Sequence, residues 1–299
     1  MRTVSYFILN ELGWNFLGNL MYTLGHPLPM MPIMCFRIDG VMANLLKTEF
    51  QRSMYFTAIV ITAINCCLGF VITFFYRYVT LAFQDTTNRI PKSWAFLSCV
   101  IFHLITSFVV AVLFNSAWLP TSEYPEGELP EDTRNLCCYH PEGVKLTTIV
   151  YFFYAAFGTS GVFLTLLGGL CVRELWIKRS AMSKTTLLLQ KEIVKNLLIV
   201  TGSALFFASL PLVVAVFFIY NSKLPNARTI VSGLLLIILN FGTFYAILIL
   251  TLFKSYRKAV YGVASLVYKA FRKALSMRHS SKVIPSNVIA HRGVYVKSS

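Results

Sequence analysis

Long apolar blocks separated by short polar segments dominate the chain. The blocks cover residues 6–36, 54–80, 94–118, 147–172, 196–220 and 229–253. A helix that crosses a bilayer needs about 20 mostly apolar residues, because each residue rises about 1.5 Å and the hydrocarbon core is about 30 Å thick. The pattern therefore predicts an all-α protein, a polytopic helical membrane bundle with six spans.

The first block is more polar than the other five. Glu11, Asn15 and Asn19 recur every four residues, so they share one face of a helix. A polar stripe of this kind indicates a helix packed inside a bundle, since lipid offers its side chains no hydrogen-bond partners.

A basic segment with helical periodicity follows the last block. Val260, Val263, Val267 and Phe271 recur at helical spacing within residues 254–277, and Lys and Arg cover the rest. We interpret this segment as an amphipathic helix on the anionic cytoplasmic leaflet; the alternative is a disordered basic tail. Residues 278–299 are predicted to be disordered.

Charge supports the membrane assignment and gives an orientation. Only 13% of residues are charged and the net charge is +15, whereas a soluble domain has about 25% charged residues. Half of the acids lie in residues 119–146, while residues 254–299 contain no acid. Because Lys and Arg accumulate on the cytoplasmic side, residues 119–146 are predicted outside and the C-terminus inside. Six spans then place the N-terminus inside as well.

Several function classes lack their signatures. The positive charge is not accompanied by a nucleic-acid-binding motif, so nucleic acid is not expected as a partner. No metalloprotease, P-loop or nucleophile-elbow motif occurs, so neither an enzyme, a cofactor nor a metal is expected. Coupled transporters place charged residues at mid-membrane, and Glu11 is the only acid in any predicted span. A small-molecule transporter or channel remains the alternative to a receptor.

Some polar and aromatic residues within the spans have two interpretations. Asn65 and His103 lie mid-span and are either hydrogen-bonding groups between helices or ligand contacts. Tyr151 and Tyr154 belong either to an interfacial aromatic belt or to the wall of a ligand pocket.

The seven cysteines show no metal-ligand spacing. Cys137 and Cys138 lie in the predicted outside segment, where disulfides form, and Cys35 lies near the outside end of the first block. A disulfide from Cys35 to either Cys137 or Cys138 is therefore possible.

Motifs along the chain occur in a distinctive order. They are Pro27-Leu28-Pro29 with Pro32 and Gly40, then Phe75-Tyr76-Arg77-Tyr78, Ser183-Lys184-Thr185-Thr186 with Leu189-Gln190-Lys191, Pro211, and Tyr256-Arg257. From physics alone, the Arg77 motif is either an interfacial anchor or a signalling element. In order and spacing over residues 10–260, the motifs resemble nematode chemosensory receptors of the Str superfamily, seven-helix G-protein-coupled receptors, and most nearly the Srh and Sri branches.

The resemblance implies a receptor that detects a small odorant or soluble cue and activates a heterotrimeric G protein. It implies the plasma membrane, in the cilia of chemosensory neurons, and Pro211 as a hinge. The residues it assigns to coupling and activation are Tyr76, Arg77, Tyr78, Lys184, Lys191, Tyr256 and Arg257.

The chain also departs from the family pattern. Its first span aligns with the second helix of the family, so the first helix is expected to be missing, through an incomplete gene model or a truncated isoform. A non-functional truncated receptor is a further alternative. Tyr76 replaces the usual acid before the arginine, the last span lacks Asn-Pro-x-x-Tyr, and no cysteine lies at the top of the second span.

Overall fold

Helices make up most of the computed structural model, which describes residues 2–83, 87, 89, 91–125, 129–180 and 182–280. In chain order they are α1 (Arg2–Gly25), α2 (Glu49–Ala82), α3 (Lys92–Ala117), α4 (Val144–Ile177), α5 (Lys184–Ala204), α6 (Leu210–Tyr220), α7 (Ala227–Leu252) and α8 (Lys254–Ser280). A π-helical turn, Leu205–Ser209, joins α5 to α6. Short 3-10 helices are Val41–Asn44, Thr121–Glu123 and Lys178–Ser180.

Five helical segments in the described part of the chain are long and apolar enough to cross a membrane. They are Glu49–Ala82, Ser93–Ala117, Val144–Ser180, Lys184–Tyr220 and Ala227–Leu252. Each covers one of the predicted apolar blocks completely or to within one residue, and the helical membrane bundle is confirmed. The remaining predicted span, the first apolar block, corresponds to α1. Its polar stripe makes α1 less apolar than the other five spans.

Two helices end or begin at residues that differ from the bounds of the predicted apolar blocks. The first block continues to residue 36, but α1 ends at Gly25, because His26 adopts a left-handed conformation with φ 45° and is followed by a proline-rich strand. The fifth block was predicted from residue 196, but the helix begins at Lys184, where the Ser183 hydroxyl accepts a hydrogen bond from the Thr186 amide at 3.2 Å. Hydropathy marks the apolar part of a helix, not its capped end.

A small antiparallel sheet occupies segments that were predicted partly as the ends of the first and third spans and partly as loops. Its strands are β1 (Pro27–Pro29), β2 (Cys35–Ile38), β3 (Trp118–Leu119) and β4 (Leu136–Tyr139), in the order β1-β2-β4-β3. Ile33, Leu136 and Tyr124 are buried beneath it in a small apolar core. We call the end of the bundle that carries this sheet the sheet end, and the opposite end, where α2 and α4 finish and α5 begins, the Arg77 end.

The N-terminus of α2 is fixed to the sheet end by polar contacts. Thr48 and Gln51 form a capping box. The Glu49 carboxylate accepts a hydrogen bond from the Thr121 amide at 2.9 Å, after α3. Arg52 donates to the carbonyl oxygen of Leu136 in β4 at 3.0 Å. These contacts join α2 to the β3 and β4 segments without a covalent bond.

The chain divides into two compact units, with the first ending at Leu248 and the second beginning at Ile249. The core of the first unit contains an aromatic cluster between α2, α3 and α4, with Phe56, Phe114, Phe153 and Phe157 among its members. The second unit contains α8. Residues 278–280 were predicted disordered but belong to α8, and residues 281–299 lie outside the described part of the chain.

Candidate functional site

A cavity of about 140 Å³ lies in the interior of the first unit. Residues from α1, α2, α4, the end of α5, the π-helical turn, α6 and α7 line it, and most of their side chains are apolar. Its aromatic walls include Trp14, Phe70, Phe157 and Phe241. Mostly apolar clefts and cavities between helices, with a few polar groups, are typical small-molecule sites.

The polar stripe of α1 provides much of the polar lining. Asn15 and Asn19 both line the cavity. The Asn19 side-chain amide donates to the Asn15 carbonyl oxygen at 2.8 Å and to its Oδ1 at 3.0 Å. Gly242 of α7 lies directly against the Asn19 amide, so a β-carbon at that position would overlap it. A side chain at 242 would therefore displace the Asn19 side chain from its position beside the cavity.

Replacing Gly242 with Ala is expected to lower the free energy of unfolding by about 1–3 kcal/mol, because the overpacked Asn19 side chain would have to leave its hydrogen bonds with Asn15. Adding Asn19→Ala should recover part of the loss. Gly233→Ala is the matched control on α7, since nothing lies within 4 Å of its β-carbon position. Thermal unfolding of the purified variants measures the difference; equal stability of Gly242→Ala and Gly233→Ala would contradict the packing argument.

The π-helical turn contributes directly to the cavity wall. Leu205, Ala208 and Ser209 line it, and the buried Pro211 follows two residues later. Proline has no amide hydrogen, so the helix cannot form its usual bond there, and a π-turn is one way to accommodate the loss. The prediction of Pro211 as a hinge stays a prediction, but the irregular backbone lies where a ligand would touch it.

None of the four residues predicted as weak ligand contacts is among those that line the cavity. Asn65 and His103 are buried and join α2 to α3, with His103 Nδ1 2.8 Å from Asn65 Oδ1. Tyr151 is exposed on α4. Tyr154 is partly buried and packs against the aromatic core.

His103 is the centre of a hydrogen-bond network that connects three helices. Asn65 donates to the Ser107 hydroxyl at 2.8 Å, so its oxygen accepts from His103 Nδ1. The Nε2 atom of His103 then accepts from the Asn10 amide of α1 at 3.1 Å. In this arrangement Asn65 and His103 form hydrogen bonds between helices, which is one of the two interpretations that the sequence allowed. The bonding also assigns the ring proton of His103 to Nδ1.

Replacing His103 with Ala is expected to destabilise the protein by about 1–3 kcal/mol, because the buried Asn65 and the partly buried Asn10 lose their hydrogen-bond partner. Leu104→Ala, at an exposed neighbouring position, should change the stability by less than about 0.5 kcal/mol. Thermal unfolding and a ligand dose–response curve separate the two roles. A change in ligand potency without loss of stability would make His103 a ligand contact instead.

Arg77 is buried at the opposite end of α2. Its guanidinium donates to Oε1 of Gln190 on α5, and its Nε atom has no hydrogen-bond partner among the described residues. Only 5% of the residue is exposed. Burying a cation without an opposite charge raises the free energy of the conformation. A conformation that gives Arg77 better hydrogen-bond partners would therefore be favoured over this one at that position.

Lys178 makes a second contact at the same end. Its ammonium group donates to the carbonyl oxygens of Leu81 and Ala82 at the C-terminus of α2, the second at 2.9 Å. A cation is favourable there because the last carbonyl groups of a helix carry partial negative charge. Arg77 and Lys178 thus connect α2 to both neighbouring helices at the Arg77 end.

The other predicted coupling residues are distributed around this end or lie beyond the first unit. Tyr76 packs against Phe7 of α1, with ring centroids 4.5 Å apart, and Tyr78 contacts Phe83. Lys184 and Lys191 are exposed on α5. Tyr256 and Arg257 belong to α8 in the second unit; Arg257 is exposed, and the Tyr256 side chain lies outside the described part.

A buried polar contact joins α1 to α7 between the cavity and the Arg77 end. The hydroxyl of Tyr245 donates to the carboxylate of Glu11 at 3.0 Å, and both residues are fully buried. The Tyr245 ring also contacts Phe70 and Phe241, which line the cavity, at centroid distances of 5.7 and 5.6 Å. Packing is therefore continuous from the cavity wall to Glu11.

A disulfide lies at the sheet end, where the sequence left the choice of partner for Cys35 undecided. Cys35 is bonded to Cys138, and Cys137 is a free thiol. The strand register explains the choice, since Cys35 lies opposite Cys138 while Cys137 lies opposite Phe36 and its side chain points to the other face. Burial raises the pKa of the Cys137 thiol to about 12, so it is unreactive towards the neighbouring disulfide.

A charged cleft of about 600 Å³ also lies at the sheet end. It is lined by Arg37, Asp39, Arg52, Asp132, Arg134 and Asn135. Both carboxylates are paired: Arg37 bonds Asp39 at 2.8 Å, and Arg134 bonds Asp132 at 2.9 Å and lowers the pKa of that carboxyl to about 2. With three guanidinium groups and two carboxylates, the cleft does not favour cations. Glu126 and Glu128 of the acidic segment lie outside the described residues.

Sequence reasoning missed three residues that organise these sites. Gln190 was noted only as part of a motif, Gly242 carried no signal, and Arg52 was not singled out. An arginine near the start of an apolar span was a usable signal, because a cation at that position needs carbonyl or acidic partners. In the part of the chain that the structure describes, no three His, Cys, Asp or Glu residues form a metal-binding group.

The fold and the site are those of a polytopic helical membrane protein with a cavity between its helices and a buried arginine at one end. The chain belongs to the family of serpentine type 7TM GPCR chemoreceptors called Srh, whose family model matches residues 1–265. The resemblance to Srh is thereby confirmed. The protein is a multi-pass chemoreceptor, and its family is one of receptors rather than enzymes. No curated protein matches the chain.

Proposed function

We propose that this chemoreceptor binds a small molecule in the central cavity and activates a heterotrimeric G protein through its Arg77 end. The observation that carries the proposal is the buried, incompletely bonded Arg77, which a single neutral side chain, Gln190, holds between α2 and α5. An outward movement of α5 would break this contact and expose the guanidinium.

The helix that bears Gln190 also forms part of the cavity wall. Lys184–Tyr220 is continuous, and it contacts the cavity at Ala204 and through the π-helical turn. A ligand that packs differently against this turn in two states changes their relative populations. Pro211 would be the hinge about which α5 moves, because the helix lacks a backbone hydrogen bond there.

Charge at the Arg77 end fits a cytoplasmic signalling face. Exposed basic residues follow one another from the end of α4 into α5: Arg173, Arg179, Lys184, Lys191 and Lys195. Such residues accumulate on the cytoplasmic side and are complementary to an acidic partner surface. We therefore assign the Arg77 end and the C-terminus to the cytoplasm and the sheet end to the outside.

Helix α8 would lie along the cytoplasmic leaflet. It has apolar residues at helical spacing, including Val260, Val263 and Phe271, and no acid from Lys254 to Ser280. This composition favours an anionic lipid surface. Tyr256 and Arg257 at its start are proposed coupling residues, and the plasma membrane, in the cilia of chemosensory neurons, is the proposed location.

The receptor reconstituted in lipid vesicles with a heterotrimeric G protein tests the proposal. We expect small-molecule ligands to accelerate nucleotide exchange on the G protein without accumulating inside the vesicles. Uptake of a labelled compound that does not depend on the G protein would contradict the proposal and favour a transporter.

A further inference from the structure

The lining of the central cavity carries no formal charge. No Asp, Glu, Lys, Arg or His is among the residues that line it, and its polar groups are Asn15, Asn19, Tyr22, Thr62 and Ser209, with the indole of Trp14 and the thiols of Cys66 and Cys67. An ion that entered would lose its hydration without gaining an opposite charge, which is strongly unfavourable. The nearest carboxylate along α1, Glu11, is bonded to Tyr245 and is not part of the lining.

The volume of the cavity limits the size of an occupant. At about 140 Å³, it is similar to an engineered protein cavity of about 150 Å³ that binds benzene. A molecule with one six-membered ring and a short substituent therefore fits within it, while a peptide or a fused-ring compound would extend beyond it.

Polar atoms remain available at two places on the lining. The Asn19 amide nitrogen is used by Asn15, which leaves Asn19 Oδ1 as an acceptor. Ser209 lies on the π-helical turn and lines the cavity as well. The Asn19 oxygen can accept a hydrogen bond, and the Ser209 hydroxyl can donate or accept one. This pair suits a ligand with a single hydroxyl or carbonyl group, because such a group makes only a few hydrogen bonds.

We propose that the cavity takes an uncharged organic molecule about as large as a substituted benzene ring, with one hydrogen-bonding group recognised by Asn19 and Ser209. This inference rests on the proposed function, since it names the ligand class of the same receptor.

Thermal unfolding of the full chain in lipid nanodiscs, with four probes at equal concentration, tests the inference. The probes are toluene, benzyl alcohol, benzoate and benzylammonium. We expect both neutral probes to raise the melting temperature, because a ligand that binds only the folded state stabilises it, and the two ions to leave it unchanged. Ser209→Ala should weaken benzyl alcohol binding about three- to tenfold, the usual effect of one lost hydrogen bond, and leave toluene binding unchanged.

Filling the cavity provides the matched comparison. Ala208→Leu places a larger side chain in the lining and should abolish the shift with both neutral probes. Ala155→Leu, at an exposed position of α4, should retain the shift. Partitioning of a probe into the lipid would affect both variants equally, so an equal shift in the two variants overturns the inference, as does the absence of any shift with the neutral probes.

The charged probes and a nucleotide-exchange assay separate this inference from the proposed function. A shift with benzoate or benzylammonium as large as that with benzyl alcohol overturns the ligand class and leaves G-protein coupling intact. Cavity-dependent binding of the neutral probes, in a receptor that promotes no exchange with any ligand, supports the ligand class and contradicts the coupling.

Discussion

Replacing Gln190 with Ala is expected to raise ligand-independent G-protein activation about tenfold or more. Gln190 is the side chain that accepts the hydrogen bond of the buried Arg77 guanidinium. A hydrogen bond to a charged group contributes about 1.5–3 kcal/mol, and about 1.4 kcal/mol corresponds to a factor of ten in an equilibrium. If the bond exists only in the resting state, its loss moves the population towards the active state by that factor.

Two further variants make this prediction specific. Gln190→Glu gives Arg77 an ionised partner and should lower basal activation below that of the wild type, because charge-assisted hydrogen bonds are stronger. Leu188→Ala, on the same helix but exposed, should leave basal activation unchanged. Nucleotide exchange at matched receptor amounts measures all three. Basal activity that is equal in Gln190→Ala and Leu188→Ala would show that the contact does not restrain the receptor.

Replacing Cys138 with Ala is expected to cause the largest loss of stability among the residues at the sheet end. The Cys35–Cys138 disulfide closes a loop with a sequence separation of 103 residues, and it joins the strand after α1 to the strand before α4. Loss of a native disulfide costs about 2–5 kcal/mol, towards the upper end for long loops. We expect a lower melting temperature and much less receptor at the cell surface.

Cys137→Ala is the matched control, because it makes the same chemical change one residue away. Cys137 is buried but unbonded to another cysteine, so its replacement should cost only about 1 kcal/mol. A reducing agent should lower the melting temperature of the wild type and of Cys137→Ala, and leave that of Cys138→Ala unchanged. If Cys137→Ala were the more damaging change, the strand register in the structure would be wrong.

The helices were predictable because a series of apolar runs of bilayer length is typical of membrane-spanning helices and rare in soluble folds. The end of α1 was the main error, although Pro27, Pro29 and Pro32 were visible, because the apolar run continues to residue 36 and was given more weight than the prolines. The strands were not predictable, since strands of two to four residues are too short to show alternation. Their pairing also joins segments about 100 residues apart in sequence.

The candidate sites were predictable only in part, for the same reason. Arg77 carried a local signal, because it lies among aromatic residues at the end of a span. Its partner, Gln190, is 113 residues away in sequence, and a single glutamine has no distinctive pattern. The stripe of α1 correctly indicated an interior face, yet which of its residues border a cavity depends on α4, α6 and α7, whose positions no local pattern specifies.

Ligand-independent nucleotide exchange by the Arg77→Ala/Gln190→Ala double variant tests most directly whether Arg77, once released, activates the G protein. At equal amounts of reconstituted receptor, we predict that Gln190→Ala accelerates exchange and that the added Arg77→Ala returns the rate to the level of Arg77→Ala alone. A double variant as active as Gln190→Ala would contradict the account, because signalling would then proceed without the arginine that the contact restrains.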